Sequence, residues 1–174
     1  MKAFGGTVLF LDRSDINTDE IIPAKYLSAN SREELKSFLL EDLKLPGFDP
    51  GNDLTGMTVI IARSNFGCGS SREHAVWALE ENGINLVIAE SFARIFRQNM
   101  YNCGMLAVEL PGDLIERIIK TCSGKKVEIE TDFDRAIILI RVDGEEERIT
   151  FAVSDFDRAL VKAGGWVEYA DSKY

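Results

Sequence analysis

The sequence predicts an α/β fold in which parallel strand–helix units on a mixed sheet give way to an antiparallel hairpin near the C-terminus. Three observations carry that reading. Two short apolar runs, Met57–Ala62 and residues 84–89, are each followed by helix-forming sequence, as strands covered on both faces are. After Gly124 the rhythm changes to apolar–polar alternation, Val127-Glu128-Ile129-Glu130. Asp143-Gly144, a tight-turn dipeptide, then separates the apolar run Ile137–Val142 from residues 148–153.

Taken in order, residues 4–11 read as the first strand. Residues 12–19 form a polar turn with Asp12, Asp15 and Asp19. Such acids suggest a divalent-cation loop, but the calcium spacing with its central glycine and distal glutamate is absent, and a solvated turn accounts for them. Pro23 interrupts the next stretch, so residues 20–27 are expected to be irregular. Residues 31–43 have helical spacing, with Leu35, Phe38, Leu39 and Leu43 on one side, and Ser31 with Glu34 at cap spacing. Pro46, Gly47, Pro50 and Gly51 mark residues 45–54 as a connecting loop.

The strand Met57–Ala62 leads through a glycine loop into a helix over residues 75–82 that ends at Gly83. Following residues 84–89, Ser91 is placed as the cap of a helix reaching about Asn102. Residues 105–109 give a further strand, and Pro111-Gly112-Asp113 opens a helix to about Thr121. This alternation implies parallel pairing with right-handed crossovers. Ser154 caps a final helix to about Ala163. With no internal repeat or low-complexity tract, residues 1–174 are read as a single domain.

A chain of 174 residues is long enough to bury a sizeable core. It is 45% hydrophobic and 28% charged, the balance of an ordinary globular protein. A net charge of −9 with no basic stripe argues against nucleic acid as a partner, because nothing offsets phosphate repulsion. Cys68, Cys103 and Cys122 form neither a C-x-x-C pair nor a disulfide framework, as expected of thiols in a reducing cytoplasm. No basic-then-apolar leader opens the sequence and no apolar run nears membrane-spanning length, so no membrane partner and a cytoplasmic location are expected.

The chemistry concentrates in residues 63–74, Arg63-Ser64-Asn65-Phe66-Gly67-Cys68-Gly69-Ser70-Ser71-Arg72-Glu73-His74. A strand, a glycine loop and a helix start make an anion site, because free backbone N–H groups and the positive helix end face the ligand. Gly67 and Gly69 let the backbone bend and approach closely. Ser70, Ser71 and Arg72 add two hydroxyls and a guanidinium, which grips a carboxylate through paired hydrogen bonds. Other readings of the same residues stand beside this one. Ser70 with Glu73 has the spacing of a capping box, in which the serine does nothing but start the helix. A nucleotide-phosphate loop fits poorly, since Arg72 occupies the third glycine position and no G-K-[ST] follows. Cys68 near a helix start and Arg72 has the setting of a low-pKa thiolate, with His74 as its base, which leaves a cysteine-dependent hydrolase as an alternative.

Residues 65–75 resemble the hallmark of the small-subunit family of 3-isopropylmalate dehydratase (isopropylmalate isomerase), itself similar to the swivelling domain of aconitase. The resemblance continues through residues 15–27, Asp15-Ile16-Asn17-Thr18-Asp19-Glu20-Ile21-Ile22-Pro23-Ala24-Lys25-Tyr26-Leu27, then residues 91–99, and finally residues 163–169. These blocks, in order, cover most of the chain. The resemblance implies a swivelling β/β/α fold and a hydro-lyase that moves a hydroxyl between adjacent carbons of a malate derivative by dehydration and rehydration. It assigns Ser70 as the base, Ser71 and Arg72 as carboxylate and oxyanion partners, and Asp19 as their support. Gly69, Lys25, Tyr26, Leu27 and Ser28 are assigned to substrate binding; Lys25 also fits an ordinary exposed lysine.

The family uses a labile iron of a [4Fe–4S] cluster as Lewis acid. Three thiolates normally hold such a cluster, and the scattered cysteines here lack the spacing. The resemblance therefore implies that a separate large subunit carries the cluster, that none is bound by this chain, and that the chain works only in a heterodimer or heterotetramer on a small dicarboxylate. In the family, an arginine after the Tyr-Leu pair suits an extra carboxylate. Ser28 and Ala29 stand there instead, which favours an isopropyl branch and leucine biosynthesis, with Arg32 close enough in sequence to swing in. Homoaconitase and a 2,3-dimethylmalate-type dehydratase share the main motifs and remain as alternatives.

Overall fold

A computed structural model describes residues 1–174. In chain order the elements are β1 (Gly6–Leu11), α1 (Thr18–Ile21), α2 (Pro50–Asp53), β2 (Met57–Ala62), α3 (Glu73–Glu81), β3 (Leu86–Ala89), α4 (Arg94–Asn102), β4 (Leu106–Glu109), α5 (Gly112–Cys122), β5 (Glu128–Asp132), β6 (Ile137–Val142), β7 (Glu145–Thr150), α6 (Asp155–Ala163) and α7 (Trp166–Lys173), with 3-10 turns at Ala24–Tyr26 and Glu33–Phe38. One sheet holds all seven strands in the order β4-β3-β2-β1-β5-β6-β7. The strands β1 to β4 pair in parallel, whereas β5, β6 and β7 are antiparallel. β1 joins the halves, parallel to β2 and antiparallel to β5. The α/β class, the parallel units and the C-terminal hairpin are thus as expected.

Burial explains the two halves. Val59 to Ala62 of β2 and all of β3 are completely buried, because helical layers cover a parallel sheet. α3 packs on α4, and α4 in turn on α6 and α7. In β7, by contrast, only Ile149 is buried, and the Glu145-Glu146-Glu147-Arg148 run leaves this outer strand charged. Asp143 and Gly144, both with positive φ, make the β6–β7 turn. No helix is long and apolar enough to cross a membrane.

Four local expectations are corrected. The helix expected over 31–43 is only the 3-10 turn Glu33–Phe38, and Ser31 caps nothing; Arg32 takes the cap position. The chain leaves the helical path at Leu39, whose ψ is 128, and Leu40 takes φ +58, so that its N–H bonds to the Ile21 carbonyl at 2.9 Å while both leucines are buried. Residues 20–27 are less irregular than expected, since Asn17 and Glu20 form a reciprocal capping box that starts α1. Ser91 does not cap α4; Ala93 holds that position and Ser91 Oγ accepts the Asn65 N–H at 2.8 Å. The chain also continues past Ala163, turning at Gly164 and Gly165 into α7. Ser154 caps α6 as expected.

Candidate active site

Beyond the carboxyl ends of the parallel strands, three connecting segments prolong the sheet. Gly67 N–H bonds to the Ile16 carbonyl at 2.8 Å and Thr18 N–H to the Cys68 carbonyl at 2.9 Å, pairing 16–18 with 66–68. On the other side Phe66 N–H bonds to the Ser91 carbonyl at 3.1 Å and Ala93 N–H to the Phe66 carbonyl at 3.0 Å. The residues after β1, β2 and β3 are thus stitched together in strand order. In an open parallel sheet this end is where ligands bind.

Gly67 is required by two constraints. Its φ is +80, and a Cβ there would lie 2.2 Å from the Phe96 ring. Gly69 is constrained by conformation alone, with φ +89 and nothing nearer than 3.6 Å to a Cβ. Together they lift the chain so that Ser70 and Ser71 are exposed while Phe66, between the Phe92 and Phe96 rings, anchors the loop in the core.

Neither serine caps α3. The helix starts at Glu73 with Arg72 in the cap position and no side-chain cap bond. The capping-box reading of Ser70 and Glu73 is therefore not what the chain adopts. Both hydroxyls lack a partner within the chain, and no backbone N–H from Gly69 through Ala75 finds an acceptor in it. A run of unpaired donors at a helix start presents positive potential, which suits an anion. Arg72 sits beside it, its side chain only 14% exposed and paired with Asp19 of α1. Ser70, Ser71, Arg72, Gly69 and Asp19 are thereby brought together. Ser70 and Ser71 lie on an exposed face, and none of these five residues lines the larger concavities of the surface.

Lys25, Tyr26, Leu27 and Ser28 lie on the turn after Pro23. The Tyr26 ring stacks on Phe38 at 3.8 Å, and the Lys25 ammonium lies over Tyr26 and 3.9 Å from Glu41. The Tyr26 and Glu41 charges raise the Lys25 pKa, and Glu41 raises that of Tyr26. Arg32 is engaged elsewhere, its guanidinium 4.3 Å from the Trp77 ring centre and 3.1 Å from Glu80.

The thiolate reading fails on its environment. Burial and then the Asp15 carboxylate push the Cys68 thiol above its ordinary pKa, and Arg13 opposes this only weakly. His74 packs against Trp77 with ring centres 4.8 Å apart, and no hydrogen bond joins it to Cys68. Cys103 closes α4 and Cys122 ends α5, and no three His, Cys, Asp or Glu residues are grouped to hold a metal ion. The donor set of this chain does not fit an iron–sulfur cluster.

Two features escaped the sequence. Thr18 is the one buried polar residue, and its Oγ1 donates to the Ser70 carbonyl at 2.7 Å. Both guanidinium ends of Arg13 pair with the Glu20 carboxylate, which also accepts the Asn17 N–H at 3.2 Å. The Asn17-x-x-Glu20 spacing was a legible cap signal; Thr18 carried none.

The Arg13 hydrogen bond holds the Glu20 carboxyl below its ordinary 4.5, against a smaller opposing effect of burial. A depressed folded-state pKa means stabilisation that is complete above about pH 4.5 and lost as pH falls through the folded value. Glu20→Gln is therefore expected to lose about 0.5–1 kcal/mol of stability at pH 7 and less at pH 3. Urea unfolding of both proteins at the two pH values measures it; an equal loss at both would remove the ion pair as the cause.

The sequence profile of the Aconitase C-terminal domain matches residues 52–113. The small subunit of 3-isopropylmalate dehydratase from Thermodesulfovibrio yellowstonii is 40% identical over 176 aligned residues, covering 99% of this chain and 96% of that one. Small subunit 2 from Deinococcus radiodurans is 40% identical over 167 residues, covering 94% and 74%. A crystal structure of 3-isopropylmalate dehydratase from Methanocaldococcus jannaschii superposes with a TM-score of 0.78 at 34% identity, covering 98% of this chain and 94% of that one. Sequence along nearly the whole length and fold along nearly the whole length agree, and the chain belongs to the family of 3-isopropylmalate dehydratase small subunits.

Proposed function

We propose that this chain is the serine-bearing half of a hydro-lyase that interconverts 2-isopropylmalate and 3-isopropylmalate in leucine biosynthesis, working with a large subunit. One observation carries the site assignment. Two hydroxyls and seven consecutive backbone N–H groups have no partner in the chain, and a nearly buried arginine stands next to them. An open face of unpaired donors is half of a cleft, which suits a site completed by another polypeptide.

In this reading the Arg72 guanidinium holds a substrate carboxylate, with Asp19 fixing its direction. The Ser70 alkoxide, favoured by the surrounding N–H groups, removes the proton from the carbon next to a carboxylate. The electron pair left behind forms the alkene as the hydroxyl departs from the adjacent carbon. Ser71 donates to the carboxylate on which charge accumulates. A [4Fe–4S] cluster carried by the large subunit would supply the Lewis acid for hydroxide departure.

Three facts favour an apolar branch on the substrate. Ser28 and Ala29 bring no charge, Arg32 is committed to Trp77 and Glu80, and the Lys25 ammonium is drawn to Glu41. The test is anaerobic reconstitution with the large subunit, offering 2-isopropylmalate, 2,3-dimethylmalate and homocitrate. We expect kcat/KM for the isopropyl compound to exceed the dimethyl compound by about 10- to 200-fold, as missing methylenes allow. Homocitrate should not turn over, and this chain alone should be inactive. A preference for homocitrate would overturn the substrate assignment.

A further inference from the structure

We infer that Thr18 is the positioning residue that aims Ser70, an assignment that rests on Ser70 being the base. Thr18 is held at each of its polar groups. Its N–H donates to the Cys68 carbonyl at 2.9 Å, its Oγ1 to the Ser70 carbonyl at 2.7 Å, and its own carbonyl accepts the Ile22 N–H at 2.9 Å. The first two bonds grip the loop on either side of Gly69, the residue with φ +89. Thr18 is also 1% exposed, so its hydroxyl is shielded from competing water.

The Oγ1 bond is the only hydrogen bond that either Ser70 or Ser71 makes within the chain. The direction of the Ser70 side chain is therefore set by a single contact from the neighbouring loop. As the first residue of α1, Thr18 has an N–H with no intrahelical acceptor, which leaves it free for Cys68. The next residue, Asp19, reaches Arg72. One turn of helix thus holds the loop at positions 68, 70 and 72 and registers base and carboxylate clamp against each other.

An angstrom of misplacement at a reacting group costs about 100-fold in rate. In the complex reconstituted with the large subunit, Thr18→Val keeps the shape and the backbone bond but removes the Oγ1 donor. It is expected to lower kcat about 30- to 100-fold with KM within threefold of wild type, while Thr18→Ser restores kcat to within fivefold. Thr18→Ala replaces the valine variant if the latter does not yield folded complex by circular dichroism. Wild-type kcat in the variant lacking the hydroxyl, or a Thr18→Ser enzyme as slow as Thr18→Val, overturns the inference. Ser70→Ala run alongside separates the causes. If it stays active the assignment of the base has failed, and if it is inactive while Thr18→Val is not, only the role of Thr18 has.

Discussion

Ser70→Ala in the assembled enzyme is expected to lower kcat by about 1,000- to 10,000-fold, the upper part of the range for a positioned general base, with KM changed little. That range corresponds to roughly 4–5.5 kcal/mol of transition-state stabilisation. The reason for so large an effect is that nothing nearby can substitute. Burial and Asp15 push the Cys68 thiol above its ordinary pKa, and His74 is packed on Trp77. Ser71 carries the only other hydroxyl on this exposed part of the loop, and its removal takes away one hydrogen bond to a charged group, worth about 1.5–3 kcal/mol, or roughly 10- to 150-fold. Steady-state kinetics of both variants, with folding and subunit association verified, measure the contrast. A Ser70→Ala enzyme within tenfold of wild type, or one no slower than Ser71→Ala, would exclude Ser70 as the base.

Gly67→Ala is expected to be the most damaging single-methyl addition in the loop. It meets two penalties, a left-handed backbone worth about 1–2 kcal/mol and an overlap with the Phe96 ring worth about 1–3 kcal/mol. Phe96 cannot retreat, because it is buried and in edge contact with Phe66. The sum, about 2–5 kcal/mol, lowers Tm on the order of 10 °C for a chain of this size. Gly69→Ala serves as the control. Its φ is also left-handed, but the added methyl meets only ordinary contacts, so about 1–2 kcal/mol is lost. Thermal unfolding of the pair tests this, and equal losses would show that crowding at Phe96 contributes nothing.

The fold was legible wherever burial is recorded by residue type. β2 and β3 are apolar because both of their faces are covered, and β5 alternates because its faces differ. The parallel-to-antiparallel change at Gly124 follows directly from that difference. Residues 31–43 misled because the chain turns out of the helical path at Leu39 and Leu40, where the Ile21 carbonyl rather than a helical partner takes the Leu40 N–H. Local periodicity has no means of recording a bond to a residue nineteen positions away.

The loop was legible in its residue types and partly in its arrangement. Ser70, Ser71, Arg72 and Asp19 are gathered as expected, but the ladder at 16–18, 66–68 and 91–93 that gathers them has no strand periodicity. Ser91 shows the difficulty plainly. Its position before a helix fits a cap, yet its Oγ receives the Asn65 N–H from the neighbouring segment. The same long-range character hid Thr18, whose partners are 50 and 52 residues distant in the chain.

The charges on β7 bear on how the chain survives before it meets another subunit. A sheet whose last strand has free N–H and C=O groups can template the addition of foreign strands, the first step toward fibrils. An identical β7 arriving there in parallel register would align a carboxylate-rich row against its own kind, with Ile149 the one apolar side chain and already turned inward. Like charges directly opposite disfavour pairing, so the seventh strand is a poor template for an eighth.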